Sequence, residues 1–121
     1  MRKTILSAML LSALAAPALA DSYPVSGSWG QTTSLEKGAI DCSGKRVITF
    51  NGNQRQDSNG GVPTYRNRSV TAEGSRYRVV DEFTTGQISN AQSKYTLRQV
   101  DADHVEMQQQ QGGTITLQRC Q

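Results

Sequence analysis

The chain has few of the residues from which most catalytic sites are built. Its 121 residues contain one histidine and two cysteines. A Ser-His-Asp or Cys-His set needs a histidine beside the nucleophile and a third group that orients it, and no recognisable set of this kind can be assembled here. Zinc-binding and phosphate-binding motifs are missing as well. We therefore expect a protein that is not an enzyme and that holds no cofactor and no metal ion.

Long apolar runs are also rare, and the longest lies near the start of the chain, from Ile5 to Ala15. It follows a basic start and precedes a small-residue cleavage site that ends at Ala20, an arrangement typical of a secretory signal peptide. The run is shorter than the ~20 residues of a membrane-spanning helix. No cysteine follows the cleavage site to carry a lipid. We predict a signal peptide over residues 1–20, one domain over residues 21–121, no stable membrane anchor, and a periplasmic or secreted location.

The chain lacks a strong excess of either charge. It has 13 basic and 10 acidic residues, which give a net charge of +3. Arg2 and Lys3 would leave with the signal peptide, and this lowers the net charge to +1. Because nucleic-acid binding needs several clustered cations that displace counterions, we expect no nucleic acid among the partners.

Helical periodicity is missing from residues 21–121, whereas short runs with a two-residue period recur between Gly, Asn and Asp residues. This pattern predicts an all-β domain of seven strands, or of eight if residues 31–43 also pair. A sheet of this length has exposed edges unless it closes. We therefore predict a small antiparallel up-and-down barrel or a strongly curled meander. The predicted strands are residues 25–30, 45–50, 65–72, 75–84, 95–100, 104–109 and 114–120.

Two hairpins in series form the last quarter of the chain. A loop over residues 101–103 sets Leu97 opposite Met107, and a loop over residues 111–113 sets Met107 opposite Leu117. The two registers agree on one inward face, and a one-residue slip would turn every side chain of that face outward. The predicted inward residues are Leu97, Val105, Met107, Ile115 and Leu117.

The two cysteines allow a single intramolecular disulfide, between Cys42 and Cys120. An exported protein meets the oxidising conditions that this bond needs. The bond would tie the last strand to the start of the second one, and chain-entropy reasoning assigns it ~4 kcal/mol. The alternative is a pair of free thiols.

The strands that flank Glu73-Gly74 form a predicted hairpin whose register brings Arg66 opposite Asp81 on the apolar side, with Arg68 on the same side. Buried charges are costly unless they are paired. In a barrel with a cavity these groups would meet an anionic or polar ligand. Two alternatives are a purely structural ion pair and a register that turns both arginines outward.

A candidate ligand site follows from these inward side chains. The polar segment from Asn51 to Pro63 is long for a connection in a compact domain. We interpret it either as a flap over the open end of the barrel or as a loop without a role. The candidate ligand-binding residues are Trp29, Tyr77, Tyr95, Arg66, Arg68 and Asp81.

One cluster has the residue types of a metal site. A hard cation prefers carboxylate oxygens, but aspartates are also ordinary turn residues because they hydrogen-bond their own backbone. We interpret the cluster as a hairpin turn and predict no metal site. Its members are Asp101, Asp103, His104 and Glu106.

The first predicted strand contains Gly27-Ser28-Trp29, and the last one ends in Leu117-Gln118-Arg119-Cys120. With the short meander strands between them, these motifs resemble the small exported calycin-like, or lipocalin-like, barrels of bacteria. Within that group, bacterial metalloprotease inhibitors are similar in size, export signal, Gly-x-Trp and single disulfide, and they place a short N-terminal segment in the protease cleft. The corresponding segment here is Asp21 to Pro24, although these cysteines lie much farther apart than that family's pair.

Taken together, these patterns predict an exported, non-enzymatic binding module of the bacterial envelope. Its open end, flanked by residues 51–63, would receive an unknown small molecule or an envelope or exported protein. The alternative is an interaction protein that acts through its surface, such as a periplasmic protease inhibitor. In either case we expect a monomer.

Overall fold

A computed structural model describes residues 22–121, and the predicted signal peptide lies outside the described residues. Each strand pairs antiparallel with the next one, and the last pairs with the first, so that the sheet closes into a barrel. The prediction of an all-β antiparallel barrel is confirmed. Within residues 22–121, no helix is long and apolar enough to cross a membrane. The strands are β1 (Gly27–Thr32), β2 (Val47–Asn51), β3 (Gln54–Asp57), β4 (Tyr65–Glu73), β5 (Arg76–Phe83), β6 (Ala91–Asp101), β7 (His104–Gln109) and β8 (Thr114–Arg119).

The eighth strand is β3, which lies inside the segment that the sequence pattern assigned to a loop. Gly52 has a φ of 64°, and it begins a two-residue turn that returns the chain antiparallel to β2. The long connection predicted over residues 51–63 is therefore wrong, and only residues 58–64 connect β3 to β4. The segment 31–43 contributes a single bridge outside the strands, between Ile40 and Cys120. Because β3 has a polar sequence, apolar alternation does not reveal it.

The two ends of the barrel differ in how the strands are connected. At one end, which we call the turn end, the N-terminal segment crosses the opening, and the Tyr23 amide donates to the Gly52 carbonyl at 3.2 Å. The opposite end, which we call the loop end, carries the longer connections. The turns of the turn end are residues 52–53, 74–75 and 102–103, and the connections of the loop end are residues 33–46, 58–64, 84–90 and 110–113.

The core lies inside the barrel and contains the inward face predicted for the C-terminal hairpins. Leu97 lies opposite Met107, as predicted. In the second hairpin Met107 pairs with Ile115 instead of Leu117, because the turn is centred on Gln111 rather than on Gly112 and the Gln109 amide donates to the Gly113 carbonyl at 2.9 Å. This shift by two residues leaves the same side chains inward. The buried apolar residues are Tyr23, Trp29, Ile48, Phe50, Val79, Tyr95, Leu97, Val105, Met107 and Leu117.

The β1–β2 connection, residues 33–46, lies against the outer face of β8 and is here called the strap. The Gln118 side chain donates to the carbonyls of Glu36 and Gly38 at 2.9 and 2.8 Å. The predicted disulfide between Cys42 and Cys120 is present, with 5.6 Å between the Cα atoms, and it fastens the strap to the end of the chain. The barrel therefore has a second, partial layer on one side.

A close approach between the strap and β1 requires a glycine. Gly30 is buried, and a Cβ atom added to it would lie 2.6 Å from the sulfur of Cys42. Real Cβ atoms do not approach a heavy atom this closely, so any side chain at this position would displace the disulfide or the strand. Gly86, in the β5–β6 connection, is a suitable control, because a Cβ atom added there would have no heavy atom within 4 Å.

We predict that Gly30→Ala lowers the free energy of unfolding by about 1–3 kcal/mol, which is the usual cost of overpacking. Gly86→Ala should change it by less than about 0.5 kcal/mol. The measurement is urea unfolding followed by the fluorescence of Trp29, which is 4% exposed and is the single tryptophan of the chain. Equal stability of the two variants would contradict a steric role for Gly30.

Candidate functional site

The hairpin of β4 and β5 has a different register from the predicted one. Its turn is Gly74-Ser75, so that Glu73 lies opposite Arg76, and a β-bulge follows between Asn67 and Ser69. A bulge places one extra residue in one strand and reverses the alternation beyond it. The side chains that point inward after the bulge are therefore not those that strict alternation selects.

This bulge makes the predicted pair of Arg66 and Asp81 wrong. Asn67 lies opposite Asp81, whereas Arg66 lies opposite Glu82. Arg66 and Arg68 are both exposed, so that the alternative with outward arginines describes the hairpin. Their role in ligand binding stays a prediction, and a ligand would have to contact them on the outer surface of the barrel.

The other candidate residues lie at three different places. Trp29 is in the core, where its indole nitrogen donates to the Ser26 carbonyl at 2.9 Å. Tyr77 is half-buried near the turn end and packs against the core. Tyr95 and Asp81 touch each other inside the barrel. The structure thus brings together two of the six predicted residues in one cluster.

Asp81 is the centre of this cluster, and it is 0% exposed. One carboxylate oxygen accepts hydrogen bonds from the hydroxyl of Tyr23 at 2.9 Å and from the amide of Asn67 at 3.2 Å. The other accepts from Nε of Arg55 and from the hydroxyl of Tyr95, both at 2.7 Å. Both oxygens of this buried carboxylate are therefore hydrogen-bonded, and one of the four donors is a cation.

Arg55 replaces Arg66 as the cation of the buried pair, and apolar alternation gave no indication of it. It lies in β3 and is 2% exposed. A signal for this strand is present in the sequence, since Gly52-Asn53 is a two-residue combination typical of tight hairpin turns. A two-residue turn at Gly52-Asn53 predicts that residues 54–57 lie opposite β2, as they do.

Two of the tyrosines are held in the neutral form. Burial, and then the charge of Asp81 and the hydrogen bond to it, raise the pKa of Tyr23 well above its usual range. Burial also raises the pKa of Tyr95, since the opposing attraction of Arg55 is outweighed by burial and by Asp81. Both phenols therefore act as hydrogen-bond donors to the carboxylate at all ordinary pH values.

The guanidinium of Arg55 is also fixed from above by aromatic rings. Its central carbon lies 3.8 Å from the ring centre of Tyr65 and 4.8 Å from that of Tyr95, within range for cation–π contacts. Its Nη1 lies 3.8 Å from Asp57, too far for a hydrogen bond. Asp57 instead accepts two hydrogen bonds from Arg46, at 3.0 and 2.7 Å. Neither terminal nitrogen of Arg55 is hydrogen-bonded to another residue of the described chain.

The barrel opens above this cluster into a cleft of about 380 Å³, which we call the loop-end cleft. Among the residues that line it, only Phe83 and Met107 have wholly apolar side chains. The walls are therefore mainly charged, amide or hydroxyl groups. The lining residues are Arg46, Arg55, Asp57, Tyr65, Phe83, Gln92, Ser93, Lys94, Tyr95, Met107 and Gln109 to Gln111.

The acidic cluster of the β6–β7 hairpin is occupied by contacts within the protein. His104, which strict alternation places on an outward face, is 0% exposed, and its Nδ1 lies 2.9 Å from Asp101. This hydrogen bond, and then the one from the Asp103 amide, lower the pKa of Asp101. Asp103 accepts from the Gly38 amide at 2.7 Å. Within residues 22–121, no three His, Cys, Asp or Glu side chains are grouped so that they could hold a metal ion.

Comparisons of the chain with models of protein families, with curated proteins and with solved structures found no match. The closed eight-stranded antiparallel barrel with one disulfide agrees with a lipocalin-like architecture.

We predict that Asp81→Asn lowers the free energy of unfolding by about 3–5 kcal/mol, because it removes the carboxylate that contacts the buried guanidinium of Arg55, whose other acidic neighbour, Asp57, is already paired with Arg46. The matched control is Glu82→Gln on the outer face, where the carboxylate lies 3.3 Å from an Arg68 side chain that is 58% exposed. That change should cost less than about 1 kcal/mol. Denaturant unfolding measures both variants. Equal losses of unfolding free energy would mean that the buried ion pair contributes no more to stability than the exposed one.

Alkaline pH provides a separate test of the cluster. A phenol whose pKa is raised by folding keeps its proton longer in the folded than in the unfolded chain. Its contribution is complete below a pH of about 10 and is lost as the pH rises towards the folded pKa. Above a pH of about 10, the unfolding free energy should fall by about 1.4 kcal/mol per pH unit for each of Tyr23 and Tyr95.

The control for this pH dependence is Tyr95→Phe, which removes one of the two phenols. Its slope above a pH of about 10 should be smaller by about 1.4 kcal/mol per pH unit, whatever the stability of the variant at neutral pH. The measurement is urea unfolding at a series of pH values. An unchanged slope would show that Tyr95 does not titrate differently in the folded chain.

Proposed function

We propose that this protein is an exported, non-enzymatic binding module of the bacterial envelope that holds a small polar ligand in the loop-end cleft. The observation that carries the proposal is the cleft itself, whose floor is a buried polar cluster instead of an apolar core. Asp81 holds the side chains of Arg55 and Tyr95 in fixed positions on the wall of this opening. Such preformed, concave sites with a few fixed polar groups are typical of ligand pockets.

The size and lining of the cleft limit the class of ligand. A volume of about 380 Å³ lies at the lower end of the range for small-molecule sites. Because Phe83 and Met107 are the only wholly apolar lining residues, a long aliphatic ligand would leave most of the polar wall without partners. These features support a small ligand with several hydrogen-bonding groups.

Export is supported by the disulfide and by the expected signal peptide. The bond between Cys42 and Cys120 fits an oxidising compartment outside the cytoplasm. With cleavage near Ala20, a periplasmic or secreted location and a lipocalin-like role both belong to this proposal.

The alternative, a protease inhibitor that inserts its N-terminal segment into an enzyme, receives less support. Tyr23 is 8% exposed, and its hydroxyl is bonded to Asp81 inside the barrel. Insertion of this segment into a protease would therefore require Tyr23 to leave the core. No other described contact favours this function over ligand binding.

The test is native mass spectrometry of protein exported with its own signal peptide. We predict one retained small molecule per monomer, and its loss in Ser93→Trp, which places a bulky side chain in the wall of the cleft. The matched control is Ser75→Trp in the β4–β5 turn at the opposite end, where the molecule should be retained.

Two outcomes would contradict the proposed function. One is a molecule that remains bound in Ser93→Trp, since it would occupy another site. The other is the absence of any retained molecule, together with inhibition of a secreted protease that is lost when residues 21–24 are deleted.

A further inference from the structure

We propose that the loop-end cleft recognises a small organic anion, whose carboxylate or phosphate oxygens take a two-pronged hydrogen bond from the terminal nitrogens of Arg55. This inference rests on the proposed function, because it names the class of ligand for the same cleft.

Arg55 has hydrogen-bonding capacity that the protein does not use. A guanidinium has five N–H donors, and here the Nε donor is used by Asp81 at 2.7 Å. The two terminal nitrogens have no hydrogen bond to another described residue, although the residue is 2% exposed. These nitrogens are not among the buried polar atoms that lack a partner, so they are accessible from the cleft that Arg55 lines. A ligand oxygen at this position would accept the hydrogen bonds that the terminal nitrogens of Arg55 do not make within the described protein.

The guanidinium of Arg55 is already held in place before a ligand binds. Asp81 fixes one edge, and the rings of Tyr65 and Tyr95 lie 3.8 and 4.8 Å from its central carbon. A side chain ordered before binding loses little conformational entropy when the ligand arrives. A planar fork of this kind matches the two oxygens of a carboxylate, or two of those of a phosphate.

The charge around the cleft also favours an anion. Arg46 is neutralised by Asp57, and Arg55 is neutralised by Asp81 beneath it. Lys94 is exposed at the rim and forms no ion pair with another described residue. The cleft and its floor thus carry one uncompensated positive charge, which an anion would balance and a cation would not.

The walls also define the body of the ligand. Tyr65 and Phe83 stand edge to face with 5.1 Å between the ring centres, and both line the cleft with Tyr95. Aromatic walls favour contact with a compact ring or a short hydrocarbon. A ligand with an anionic group on a small planar or apolar body would therefore contact both the guanidinium of Arg55 and the aromatic walls.

The experiment is a titration of isotope-labelled protein with benzoate, phenyl phosphate and benzamide, followed by NMR signals of Lys94, Gln109 and the Arg55 side chain. Benzoate or phenyl phosphate should give saturable shifts of these signals. Benzamide, which has the shape of benzoate without its charge, should bind at least about fivefold more weakly. The tighter of the two anions identifies the oxyanion, carboxylate or phosphate, that the cleft prefers.

Substitutions locate the anion. Arg55→Lys keeps the charge beside Asp81 but loses the fork, so that anion affinity should fall at least about fivefold. Lys94→Gln removes the uncompensated cation at an exposed position and should weaken anion binding by about two- to fivefold, whether or not Arg55→Lys folds. Lys37→Gln makes the same change on the strap, outside the cleft, and should have no effect.

Three results would overturn the inference. They are equal affinities for benzamide and for the tighter of the two anions, no shift of the cleft signals by either anion up to roughly 50 mM, and anion affinities that are the same in Lys94→Gln and Lys37→Gln. A neutral molecule that is retained on export and lost in Ser93→Trp would overturn it as well. In that last case the function proposed for the cleft would still stand.

Discussion

The ion pair of Asp81 and Arg55 is the constraint on which the interior of the barrel depends. A fully buried carboxylate is tolerated only when its oxygens are satisfied. Its donors come from the N-terminal segment, β3, β4 and β6, so that a single side chain of β5 connects four other parts of the chain. Two members of the cluster, Arg55 and Tyr95, also line the polar cleft at the loop end.

The outside of the barrel is stabilised in a different way. The strap is held against the sheet by hydrogen bonds from the side chain of Gln118 to its backbone and by the disulfide of Cys42 and Cys120. The close packing over Gly30 shows that this layer is fitted to the surface of β1 rather than loosely attached. Closure itself comes from the pairing of β1 with β8, and the strap adds a second layer over these two strands.

Ligand binding is consistent with this separation of roles. The groups that would meet a ligand are attached to strands of a closed sheet, and their positions are set by interactions beneath the cleft. Rigid attachment of this kind lowers the entropy lost on binding. The polar lining also distinguishes this cleft from the deep apolar interior that a barrel of the same architecture would need for a lipid-like molecule.

Apolar alternation and residue counting were enough to predict the all-β class, the closed antiparallel sheet, the disulfide and the inward face that includes Leu97 and Met107. The buried positions of Asp81 and Tyr95 also followed from alternation. The partner of Asp81 did not, because the bulge beside Arg68 leaves no periodic trace and β3 has no apolar side chain to reveal it. Local pattern determines which residues favour a strand. Only the tertiary structure decides which distant cation reaches a buried carboxylate, because that pairing depends on where the closed sheet brings the strands together.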